Sequence, residues 1–84
     1  MERGNYPMNG EYEYRVTMVV DYLTVTTNIS LMLDDNTGNL SSEARDQAII
    51  EADAAIEYDL GRKLSHRANE ITVTLLLDDE EVEL

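Results

Sequence analysis

One histidine stands beside one serine, Ser65-His66, and that pair is the first place to look for chemistry in this chain. A serine nucleophile needs an imidazole bonded to its hydroxyl and a third group that orients the imidazole. Adjacency in sequence supplies neither requirement, and no other feature signals a triad, so His66 reads as a solvated loop residue. The next candidate is Asp34-Asp35-Asn36-Thr37-Gly38-Asn39, which resembles the start of a calcium loop. The EF-hand pattern places oxygen ligands at the first, third and fifth positions, Gly at the sixth and Glu at the twelfth. Counting from Asp34 puts Gly38 at the fifth position and Arg45 at the twelfth. Counting from Asp35 puts Leu40 at the sixth and Asp46 at the twelfth. Neither register fits, and the segment reads as an Asx-Gly turn.

Paired carboxylates are abundant, but general acid-base work needs a pocket that separates their pKa values. A domain of this size with few elements has little room for one. The chain has no cysteine, no glycine-rich phosphate loop and no zinc-ligand spacing. The one basic cluster, Arg62, Lys63, His66 and Arg67, falls just after the predicted helix, where positive charge complements the helix C-terminus. We therefore expect no enzyme, no cofactor and no metal.

Negative charge on the predicted helix carries more information. Glu43, Asp46, Asp53 and Glu57 share a face at helical spacing, with Ile50 in their midst, Ala54 beside it, and Glu51 and Tyr58 on the flanks. An apolar anchor inside a charged rim is the make-up of a small protein interface. Asp34, Asp35 and the acidic run 78–83 add to it. The expected partner-binding set is Asp34, Asp35, Glu43, Asp46, Ile50, Asp53 and Glu57, and the expected partner is a basic protein surface.

The whole composition agrees. Eighteen acidic residues against six basic ones in 84 residues give a formal net charge of -12, with an isoelectric point near 4.1. Such a chain repels nucleic acid and anionic membranes and is drawn to basic surfaces. In size and acidity it resembles the small acidic inhibitors encoded by phages, the anti-restriction and anti-CRISPR DNA mimics. That resemblance implies a host nuclease or surveillance complex as target, inhibited by occlusion of its nucleic-acid-binding groove, with carboxylates in place of phosphates. These inhibitors share no single fold, so the resemblance implies no residue roles.

The elements that must position these groups are legible from periodicity. Residues 1–10, with two Gly, two Asn and the only Pro, read as a flexible lead-in. Tyr12, Tyr14, Val16, Met18 and Val20 then alternate with polar positions, which predicts a half-buried strand. The apolar parity switches to Val25, Ile29, Leu31 and Leu33, which predicts a hairpin. Pairing Val20 with Val25 sets Val16 opposite Ile29, Tyr14 opposite Leu31 and Tyr12 opposite Leu33, all on one face. The connection Asp21-Tyr22-Leu23-Thr24 lacks the Asn-Gly or Asp-Gly of the tightest turns. Ser41 or Ser42 can cap a helix running to about Leu60, with Gly61 just past its end. Ala44, Ala48, Ile49, Ala52, Ala55, Ile56 and Leu60 form its apolar arc. Ile71, Val73, Leu75 and Leu77 predict a third strand.

The expected fold class is α+β, ordered β-β-α-β: a three-stranded, mostly antiparallel sheet with one helix on one face. Residues 11–77 form the single domain, and 78–84 form an acidic C-terminal tail. The far sheet face is expected to carry Thr17, Thr24, Thr26, Asn28, Ser30, Thr72 and Thr74. A second reading follows from that face: a small structural or assembly protein that self-associates, for instance as a homodimer, through the threonines or an exposed edge strand. No run of about 18–20 apolar residues is present to span a bilayer. The first residues also lack the basic and apolar regions of a signal peptide. We expect a cytoplasmic location, in a host cell if the chain is phage-encoded.

Overall fold

The structure is a computed structural model that describes residues 10–21, 23–34, 37–61 and 64–84, with His66 described by its backbone alone. Strand β1 runs Gly10–Val20 and strand β2 runs Leu23–Leu33, followed by helix α1 at Ser42–Leu60. A single 3-10 turn at Ser65–Arg67 leads into β3, Glu70–Leu76, and β4 closes the chain at Glu81–Glu83. All four strands form one antiparallel sheet in the order β2-β1-β3-β4. The α+β class stands, but among the described residues the sheet has four strands rather than three. The additional strand comes from the segment read as an acidic tail: Val82 pairs with Leu75, and both Val82 and Leu84 pack on the core. A two-residue turn at Asp78-Asp79 makes this possible, because Leu77 and Glu80 exchange backbone bonds of 2.9 and 3.3 Å across it.

The β1–β2 hairpin is tighter than expected. Val20 pairs with Leu23, Met18 with Val25, Tyr14 with Ile29 and Tyr12 with Leu31. The predicted register was displaced by two positions. Because strand side chains alternate with a period of two, an even displacement leaves every residue on its assigned face. Asp21 adopts a left-handed φ of 51°, a conformation that aspartate tolerates and that a two-residue hairpin loop requires.

The inner sheet face and the helix make the core. Tyr14, Val16, Met18, Val73 and Leu75 are its largest fully enclosed side chains, and Leu31 and Leu33 close it at β2. The helix meets this face through Ala44, Ala48 and Ala52, all fully buried, and then Ile56. Small side chains at four-residue spacing let the helix backbone lie close to the strands. Its start is fixed by Ser41, whose hydroxyl accepts from the Ala44 N–H at 3.0 Å and donates to the Gly38 carbonyl at 2.7 Å. Its end is fixed by Gly61, which at φ 79° donates its N–H to the Glu57 carbonyl at 2.7 Å. Leu60, placed by periodicity on the apolar arc, is 53% exposed, and Asp59 beside it is exposed too. The last turn therefore extends past the sheet.

Tyr14 ties sheet to loop. Its hydroxyl donates to the Asn39 carbonyl at 2.7 Å, just before the helix cap. Burial, with a smaller contribution from neighbouring Tyr12, pushes its pKa from 10.0 up to about 12. The folded state thus holds this proton more tightly than the unfolded chain does. The resulting stability is complete below about pH 10 and is lost as pH rises toward 12. Urea midpoints should therefore fall across that window. Tyr14→Phe should flatten the fall and cost about 1–2 kcal/mol at neutral pH, because the Asn39 carbonyl loses its donor. An equal alkaline fall in both proteins would show that Tyr14 is not its source.

Candidate functional site

Four of the expected partner-binding residues lie together on the outer side of α1. Glu43, Asp46, Ile50 and Glu57 are all exposed, Ile50 at 56%. Tyr58, at 90% exposure, adds a second apolar group beside Ala54. Glu43 and Glu57 are fourteen residues apart, so the row extends about 21 Å along a rigid element at 1.5 Å per residue. Among the described residues, no hydrogen bond or ion pair engages the side-chain carboxylates of Glu43, Asp46, Glu51 or Glu57. The described arginines, Arg15, Arg45 and Arg67, are committed elsewhere or stand apart. Arg15 grips both carboxylate oxygens of Glu81 at 3.1 and 3.2 Å on the far sheet face, and Arg45 donates to the Ile71 carbonyl at 3.4 Å. Arg67 is exposed beyond the helix end.

Asp53 does not belong to this row. It is 8% exposed, and its carboxylate accepts from the backbone N–H groups of Leu64 and Ser65 at 3.3 and 3.1 Å and from the Ser65 hydroxyl. It thus holds the return of the chain after the helix, with both carboxylate oxygens bonded within the chain. Helical spacing put it at the margin of the outer face, and the segment 64–65, remote in sequence, covers that margin. Ser65, weighed above as a neighbour of His66, spends its hydroxyl and its N–H on this same contact. Asp34 is exposed at the end of β2, while Asp35, Arg62, Lys63 and the His66 side chain lie outside the described residues.

A groove of about 570 Å³ opens between α1 and the outer edge of β2, a feature that the spacing of charges did not indicate. Leu31 and Leu33 form its apolar floor, and Glu43, Asp46, Gln47 and Glu51 form its helical wall. Strand β2 forms the sheet edge here, and all eleven of its residues, LTVTTNISLML, are uncharged. That run of eleven is visible in the sequence, but it gains meaning only once β2 is known to lie at an edge. The opposite edge is β4, three residues long and carrying Glu81 and Glu83.

The far sheet face carries the expected threonines in register, Thr26 opposite Thr17 opposite Thr72. Among the described residues no three His, Cys, Asp or Glu side chains are placed to hold a metal ion. No helix among them is long and apolar enough to cross a membrane. What the arrangement offers is a fixed negative surface with apolar anchors and an open strand edge. Compared with known proteins, the chain matches no family model, no curated protein and no solved structure.

Proposed function

We propose that this chain is an acidic protein-binding module that docks on a basic surface and inhibits its target by occlusion. A nucleic-acid-handling protein or complex, such as a host nuclease or a CRISPR or restriction complex, presents the kind of surface that suits it. The observation that carries this reading is the outer row of α1: Glu43, Asp46 and Glu57 exposed around Ile50, on a helix seated firmly by its buried alanines. Carboxylates held on a rigid helix meet a basic groove with the charge sign of a phosphate backbone, and they need no reorganisation on binding. The net charge of -12 speeds the encounter and repels competing nucleic acid.

The test is a tagged pull-down from nuclease-treated bacterial lysate, at about 50 mM and about 500 mM salt, followed by competition with duplex DNA. A nucleic-acid-handling protein is expected at low salt, displaced by the DNA and weakened at high salt. Asp46→Lys with Glu57→Lys should reduce its retention by about 100-fold while leaving the melting curve near that of the parent protein. Undiminished retention of that protein by the double variant would refute the reading.

A further inference from the structure

The bonding pattern of the sheet shows which backbone groups are left over at its edge. Leu77 and Glu80 exchange bonds, and the Leu84 N–H reaches the Val73 carbonyl at 2.8 Å, so the odd residues of β3 bond β4. Backbone groups along an antiparallel strand point alternately to its two neighbours. The even residues of β3 therefore bond β1, and their partners there are odd, as in Thr17 with Thr72. That leaves the even residues of β1 for β2, where their partners are again odd, as in Met18 with Val25. On β2 the even residues Thr24, Thr26, Asn28, Ser30 and Met32 consequently direct their N–H and C=O groups away from the sheet. All five are exposed.

Sheet edges are usually blunted by charge, by shortness or by a covering element. Here β4 is blunted by the first two devices, with Glu81 and Glu83 in three residues. Strand β2 has neither: it is eleven residues long, with no charge, proline or glycine. Resting on the reading of an acidic module for basic partners, we propose that β2 takes up an extended basic segment of the partner as an additional strand. The added strand would lie about 4.8 Å beyond β2 and send alternate side chains to the two faces of the sheet. Those on the inner face enter the groove floored by Leu31 and Leu33, under Glu43, Asp46 and Glu51. A segment alternating Lys or Arg with β-branched residues matches both requirements. Its backbone fills the edge, and its cations meet carboxylates that no described residue neutralises. A second copy of this chain fits worse, because two-fold pairing of β2 edges would crowd two such acidic walls together.

The probe is an amide-capped peptide alternating Lys and Val over the length of residues 24–32, with a Glu-Val peptide as control. A third peptide keeps the Lys-Val sequence but carries backbone N-methyl groups on the residues that would bond β2. Binding is read by fluorescence anisotropy at about 50 and about 500 mM salt, and by amide shifts and exchange rates. The Lys-Val peptide should bind, slow the exchange of the Thr24, Thr26, Asn28, Ser30 and Met32 amides, and weaken with salt. The Glu-Val peptide should not bind, and the N-methylated peptide should bind at least about tenfold more weakly. Asn28→Pro should match that loss, since its N–H faces outward and proline is tolerated at a sheet edge. Equal binding of the parent and N-methylated peptides, or shifts confined to the outer face of α1, would overturn strand addition while leaving the acidic-module reading intact. Failure of the Lys-Val peptide to bind a chain that still captures a basic protein would do the same. A dimer of the chain alone that strengthens with salt and is lost in Asn28→Pro would instead assign the edge to a second copy and overturn the proposal.

Discussion

Asp53→Ala is expected to cost about 2–4 kcal/mol of folding stability, the range for a buried ionic acceptor whose donors are left unpaired. Three donors converge on this carboxylate: the N–H groups of Leu64 and Ser65 and the Ser65 hydroxyl. Their loss would orphan two backbone amides where the chain leaves the helix and turns back toward β3. It would also loosen Leu64, which is buried against the core. In a domain of this size that energy corresponds to a fall in Tm of roughly 10–25 °C, readable by circular dichroism. Asp53→Asn should fall between the two, because its amide keeps one acceptor oxygen but turns N–H donors toward other donors. Ser65→Ala removes one of the three bonds and should cost about 1 kcal/mol. Should Asp53→Ala melt within about 1 kcal/mol of the parent protein yet lose partner binding, the carboxylate would be a contact residue and its assignment here would be wrong.

Asp53 also shows where reading a sequence stops. Periodicity places it with Asp46 and Glu57, and only the return of the chain at residues 64–65 buries it. A local signal does exist: Asp53 stands four residues after Ile49 and three before Ile56, both on the core-facing side. That makes it a seam residue, and a seam carboxylate needs donors from somewhere. Spacing cannot say which segment will supply them.

The strands divide in the same way. Alternation assigns Tyr14, Val16, Met18, Val73 and Leu75 to the inner face without ambiguity, and all five are enclosed. It carries no information about even shifts in register, so the hairpin loop had to decide between pairings, and its sequence resembled no favoured turn. Asp21 resolved the pairing by adopting the left-handed geometry itself. Strand β4 was hidden for a different reason. Glu81-Val82-Glu83 offers one apolar residue between two poor strand formers, and its pairing is imposed by the turn at Asp78-Asp79 and by the docking of Val82 and Leu84. The helix needed least from tertiary context: Ser41, Gly61 and the alanine spacing define it locally. The groove needed most, since it exists only because β2 lies at an edge and α1 makes most of its sheet contacts there.

Ala48→Leu is expected to destabilise the domain by about 3 kcal/mol, at the upper end of what overpacking a closed core costs. Ala48 is fully buried between Ala44 and Ala52, at the middle of the stripe by which the helix meets the sheet. A leucine there can be accommodated only by lifting α1 or by forcing core side chains of the sheet from their packed positions. Total stability for a chain of this length is about 4–13 kcal/mol, so the loss is a large share of it. Ala54→Leu, on the exposed side of the same helix, makes the same chemical change and should stay within about 0.5 kcal/mol. Urea unfolding of the pair separates close approach from helix propensity, since leucine is nearly as good a helix former as alanine. The site should respond as well. Lifting α1 would draw Glu43, Gln47 and Glu51 away from Leu31 and Leu33, so Ala48→Leu should lose peptide binding at temperatures where its far-UV spectrum is still that of a folded chain. Equal stability of the two leucine variants would mean that the alanine stripe leaves spare volume. The position of the acidic wall over β2 would then not depend on it.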